Sequence, residues 1–189
     1  MNKFRISLFA ILLFLPIYSI SQEPTNSKLE LNTVYNEEYE NSTENYTGEL
    51  KENAYSIIRK KIESALSTKI PEENSILIHF TQNGRNCVEM NNNGKKYLKF
   101  LKNRTKNSSK ISSEYQVSDF FVFAKDAFFL EQVEMKHNYV IDTGFFYENV
   151  FDIHENCSAF FLLKPNGKFM KYYGSDYFSW IWNFLEIVD

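Results

Sequence analysis

The chain has 189 residues, is 43% hydrophobic with 18 Phe and 12 Tyr, and carries 21 Lys and Arg against 24 Asp and Glu, a net charge of −3. That much apolar content supports one domain with a real core, and 6 Gly and 4 Pro are too few for a loop-dominated scaffold. Slightly acidic and with both signs interspersed, its charge argues against nucleic acid and anionic membrane surfaces as partners, since binding phosphates requires a basic face.

Residues 1–21 read as a signal peptide. Asn2, Lys3 and Arg5 give a basic start, Ile6 to Leu15 is an apolar run too short to span a bilayer, and Ser19-Ile20-Ser21 offers small residues for cleavage before Gln22. Pro16 and Ser19 interrupt the run, which disfavours a retained anchor. The mature chain is expected to be exported, periplasmic or extracellular, without a membrane span. Residues 22–46 are rich in Glu, Asn, Ser and Thr and read as a flexible polar leader, with at most a short strand near Leu29 to Val34. The folded domain is expected over residues 47–189.

Leu50, Ala54, Ile57, Ile58, Ile62, Ala65 and Leu66 fall on one helical face with Arg59, Lys60, Lys61 and Glu63 opposite, and Pro71 lies past the end. Ile76-Leu77-Ile78-His79-Phe80 is apolar on both alternations, the pattern of a strand covered on both faces by helices. Cys87, Met90, Gly94, Leu98 and Leu101 share a helical stripe, with Asn91-Asn92-Asn93 as a possible break. The basic run from Lys95 to Arg104 reads as a solvated helix face. Val117 to Ala124 is a second strand, and Asp126 is placed to cap a helix through Phe128, Leu130 and Val133.

Tyr139 to Gly144 reads as a short strand or extended turn, and Phe145 to Phe151 as a helical turn. Ser158 to Leu163, the turn Lys164-Pro165-Asn166-Gly167, and Phe169 to Tyr173 form a predicted hairpin. Ser175 is placed to cap a last helix with Phe178, Ile181, Trp182, Leu185 and Val188 inward. Tyr173, Tyr177 and Trp180 are then candidates for an exposed stacking platform, although core packing is the better reading for the aromatic cluster.

The stretches "SILIHF" entering a helix through "TQNGRNC", "NCSAFFLLKPNGKFMKYYG" as a closing hairpin and "SDYFSWIWNFLEIV" as a final helix resemble the redoxin branch of the thioredoxin-like fold. The resemblance spans about residues 50–189 and implies an α/β domain with a central mixed sheet, flanking helices, and a C-terminal hairpin and helix. The family carries Cys-x-x-Cys at a helix start, where this chain has Gly84-Arg85-Asn86-Cys87. Cys87 matches the second cysteine, and Arg85 or Gly84 stands at the place of the first. Ser158, preceded by Cys157, stands where the family has a cis-proline.

On this resemblance Cys87 and Cys157 share one rim of the domain, which gives Cys87, Cys157 and Arg85 as candidate catalytic residues. Two readings of the pair stand. In one, the helix start and Arg85 stabilise a thiolate for thiol-disulfide exchange or peroxide reduction, with protein thiols or peptides as partners. In the other, the domain is a non-catalytic binding or scaffolding module and the cysteines are a staple or inert thiols. His154 and Cys157 are three apart, but two cysteines and 3 scattered histidines form no ligand set, so neither metal nor cofactor is expected. His79 in its strand reads as a satisfied core residue. Asp142, Asp152 and Glu155 form no pair set across a substrate.

Overall fold

The computed structural model describes residues 30–90, 94–135 and 138–187. The expected signal peptide (residues 1–21), residues 22–29 of the expected leader, the Asn91-Asn92-Asn93 run and Val188 lie outside the described residues. A six-stranded mixed sheet is built around β2 (Ser75–Thr81), every residue of which is buried. β3 (Val117–Phe123) runs parallel to one edge of β2 and β4 (Tyr139–Ile141) runs parallel beyond it. On the other edge β5 (Ser158–Leu163), β6 (Lys168–Tyr173) and β1 (Glu44–Glu49) follow in antiparallel sequence, for the order β1-β6-β5-β2-β3-β4.

The two alternations of β2 feed two cores. Ile76, Ile78 and Phe80 pack with Ile62 and Leu66, from α2 (Glu52–Ala65) and its end, and with Phe146 of α4 (Phe145–Asn149). Leu77 packs on the opposite face with Ile111 of α3 (Gly94–Tyr115) and with Ile181 and Phe184 of α5 (Phe178–Glu186). The chain is therefore an α/β domain with helices on both faces of its sheet. The hairpin turn works through Gly167, whose N–H donates to the Lys164 carbonyl at 3.0 Å. Gly167 takes φ +88°, which is open to glycine without strain.

Several elements differ from the sequence reading. Residues 30–46, expected to be a flexible leader, hold the short helix α1 (Glu37–Ser42) and the first part of β1. Both are polar outside, and only Tyr39 of α1 is buried, so no apolar periodicity announces them. Instead of a strand reaching Val34, Asn32 alone makes a bridge. Cys87 lies not in a helix but ahead of a 3-10 turn, Val88–Met90. The helix expected after Asp126 is only the 3-10 turn Leu130–Gln132, preceded by Phe129 at φ +55°, a left-handed residue that a continuous helix does not admit. Tyr177, not Ser175, precedes α5.

The polar face of α2 also needs correction. Ile57 is 56% exposed, whereas Arg59 and Glu63 are buried. The chain past the helix folds back on it, and the Arg59 guanidinium donates to the Ile70 carbonyl at 2.9 Å while Glu63 accepts from Lys69 at 2.9 Å. Ile62→Ala is expected to cost about 2–5 kcal/mol and Ile57→Ala at most about 0.5 kcal/mol, as read by urea denaturation. Equal losses would return Ile57 to the core face.

Candidate functional site at the cysteine rim

In the β2–β5 register Thr81 lies opposite Ser158, so the chain leaving β2 and the chain entering β5 emerge side by side. The link is extended by the Cys157 carbonyl, which accepts from the Gln82 N–H at 3.0 Å, and by the Asn86 N–H, which donates to the Glu155 carbonyl at 2.8 Å. Gly84 lies so close to this loop that an added Cβ would stand 2.8 Å from the backbone carbon of Asn156. No side chain fits there. Cys87 and Cys157 meet at the centre as a disulfide, with Cα atoms 5.1 Å apart and each residue only 1% exposed.

Three asparagines lace the rim together. Asn86 forms parallel bridges to Asn32 on one side and Asn156 on the other. The Asn32 N–H donates to the Arg85 carbonyl at 2.9 Å, the Cys87 N–H donates to the Asn32 carbonyl at 2.8 Å, and the Asn32 amide donates to the Asn86 side chain at 2.8 Å. The Asn156 amide donates to the Ser42 carbonyl at 2.6 Å. Gln82, fully buried, donates to the Ile153 and Asn156 carbonyls. Its side-chain oxygen lies 2.8 Å from His154 Nδ1 and accepts from it. These polar groups are spent on holding backbone.

Beneath the rim lies a buried ionic cluster. The Glu89 carboxylate accepts from the hydroxyls of Ser158 and Ser175, and Ser158 in turn accepts from Arg104 Nη1 at 2.9 Å. Arg104 also faces the Tyr177 ring, 4.5 Å from its centroid, and the Phe100 ring at 5.0 Å. The inward turn of Arg104 corrects the reading of the basic run as wholly solvated. Lys96, Lys99 and Lys102 remain outside. Beside this cluster His79 satisfies both ring nitrogens, with Tyr177 Oη at 2.8 Å on Nδ1 and Ser108 Oγ at 2.7 Å on Nε2. Ser108 gives its single proton to Asp119, so it accepts from Nε2–H, and Nδ1 accepts from the tyrosine hydroxyl.

The sequence-derived candidates fall in different chemical states. Cys87 and Cys157 come together, but as bonded sulfurs without a titrating thiol. Arg85 is mostly exposed, and its guanidinium pairs with Glu38 at 2.8 Å on the surface. The helix start invoked to activate Cys87 is absent at that residue, because α3 begins at Gly94. Tyr173 and Tyr177 are fully buried, leaving Trp180, at 39%, as the exposed member of the predicted platform. Among the described residues no three His, Cys, Asp or Glu side chains converge as metal ligands, and no helix is long and apolar enough to cross a membrane.

The asparagine ladder, Gln82 and the Glu89–Arg104 cluster escaped the sequence reading. One signal was present: each cysteine directly follows an asparagine, Asn86-Cys87 and Asn156-Cys157, and these asparagines are bridge partners. Known family models, curated proteins and solved structures contain no match to the chain.

Burial, and secondarily the Arg104 charge, lower the His79 pKa well below its ordinary 6.5. The folded chain thus holds His79 neutral while the unfolded chain takes up a proton below that pH. Stability is full above it and falls on acidification, by up to about 1.4 kcal/mol per pH unit, until the folded-state value is reached. His79→Gln is expected to flatten this part of the profile, measured by denaturant titration at several pH values. An unchanged slope would remove His79 as its source.

Proposed function

We propose that the chain is an exported thioredoxin-like domain with a non-catalytic binding or scaffolding role, in which a structural disulfide occupies the rim where related folds carry redox chemistry. The fold reading is supported by four strands in the order β6-β5-β2-β3, with β3 parallel to β2, β5 antiparallel to β2 and β6 antiparallel to β5. It is supported further by α3 crossing from β2 to β3 on the face that also receives α5. The basic and apolar pattern of residues 1–21 supports export, and a disulfide suits an oxidising compartment.

One observation carries the functional reading: both half-cystines are only 1% exposed. Exchange requires a thiolate to reach a disulfide sulfur, and reactivity follows access and thiolate character. Here access is closed, and the Arg85 guanidinium, two residues before Cys87, is engaged with Glu38. As a staple the bond closes a separation of 70 residues, which stabilises the fold by about 4 kcal/mol on the chain-entropy account.

Insulin-disulfide reduction and peroxide consumption are expected to proceed at the uncatalysed rate with wild type and equally with the Cys87→Ser/Cys157→Ser double variant. Wild-type turnover above that of the variant would overturn the scaffold reading in favour of a thiol-disulfide oxidoreductase or peroxidase using Cys87 and Cys157.

A further inference from the structure

We infer that residues 30–43 form a strap over the rim and that strap and disulfide constitute a redox-sensitive latch, the strap docking stably only on the oxidised rim. The strap has little apolar surface of its own to hold it. Tyr39 is its one buried residue, while Val34 and Tyr35 are 55% and 62% exposed. Its hold therefore depends on polar contacts, and these converge on the cysteine loops.

Asn32 bonds to the backbone of Arg85 and Cys87 and to the side chain of Asn86. Glu38 pairs with Arg85, and Ser42 exchanges two hydrogen bonds with Asn156. Every one of these receptors lies within two residues of a half-cystine. Two further polar anchors lie away from the cystine: the Tyr39 hydroxyl accepts from the Ser175 N–H at 2.7 Å above the Glu89 cluster, and Thr43 hydrogen-bonds the Tyr172 side chain.

Docking of the strap needs Asn86 and Asn156 held side by side, and the disulfide is the covalent tie that holds them. Coupling between two such states is reciprocal: whatever the bond adds to strap docking, the docked strap adds to the bond's resistance to reduction. With a dithiol reductant the balance is simple. In a local opening that exposes the closed bond, one thiolate of the reductant attacks a cystine sulfur and displaces the other as a thiolate, and the second thiol of the reductant then closes its own ring disulfide. Two electrons and two protons end on Cys87 and Cys157, and the tie is gone.

Limited proteolysis with a Glu-specific protease reads the latch at Glu37, Glu38 and Glu40. Cleavage there is expected to be about tenfold or more faster in protein reduced with dithiothreitol than in oxidised protein, while far-UV circular dichroism stays folded. Equal cleavage rates in folded protein overturn the latch. If reduction unfolds the whole domain, the oxidised Tyr39→Ala variant decides: its disulfide is expected to be reduced about tenfold or more faster than wild type by thiol-trapping mass shift, and an unchanged rate overturns the latch. The outcome is separable from the scaffold reading, since catalytic turnover would remove the scaffold and leave the latch intact, whereas equal cleavage would do the reverse.

Discussion

The register between β2 and β5 is the constraint on which the rim depends. Because Thr81 lies opposite Ser158, two loops with no local relation in sequence must leave the sheet in contact. Backbone at that separation tolerates no side chain at Gly84 and leaves polar groups that must be satisfied without water. Gln82, Asn86 and Asn156 satisfy them, and the disulfide fixes the distance. The central strand imposes this placement because it is buried on both faces and paired on both edges, so its position cannot shift without disturbing both cores.

The same arrangement explains why charged groups are buried beneath the rim. Glu89 and Arg104 are joined through Ser158, and Ser175 gives Glu89 a second hydroxyl. A carboxylate and a guanidinium in such a place are tolerable only when paired and hydrogen-bonded, and removing one partner strands the other. Tyr39, lying on this cluster through Ser175, ties the N-terminal strap to the interior by the same network. Chemistry-bearing residues are thus concentrated at one end of the sheet, where Glu89, Ser158, Ser175 and Arg104 Nη1 are committed to one another while Arg104 Nε and Nη2 are buried without a hydrogen-bond partner.

How much of this was legible follows from which forces act locally. β2, β3, the β5–β6 hairpin, α2 and α5 carry their own apolar periodicity or turn residues, and the sequence reading placed them within a few positions. β1 did not announce itself because all six of its residues are exposed, and its pairing with β6, which brings Tyr46 against Tyr173 and Lys171, defines it. Its edge carries Glu44 and Glu49, charges that discourage further pairing. The meeting of Cys87 and Cys157 was legible only through resemblance to a fold. Arg104 inside a lysine-rich run and Ser175 reaching Glu89 are long-range pairings without a local signature.

Disulfide mapping tests the stapled rim most directly. Native protein alkylated without reduction, digested and analysed by mass spectrometry is predicted to yield one cross-linked species joining the peptides that contain Cys87 and Cys157, with neither residue alkylated. Recovery of both cysteines as alkylated, unlinked peptides would contradict the account, since the loops would then meet without the bond that holds them.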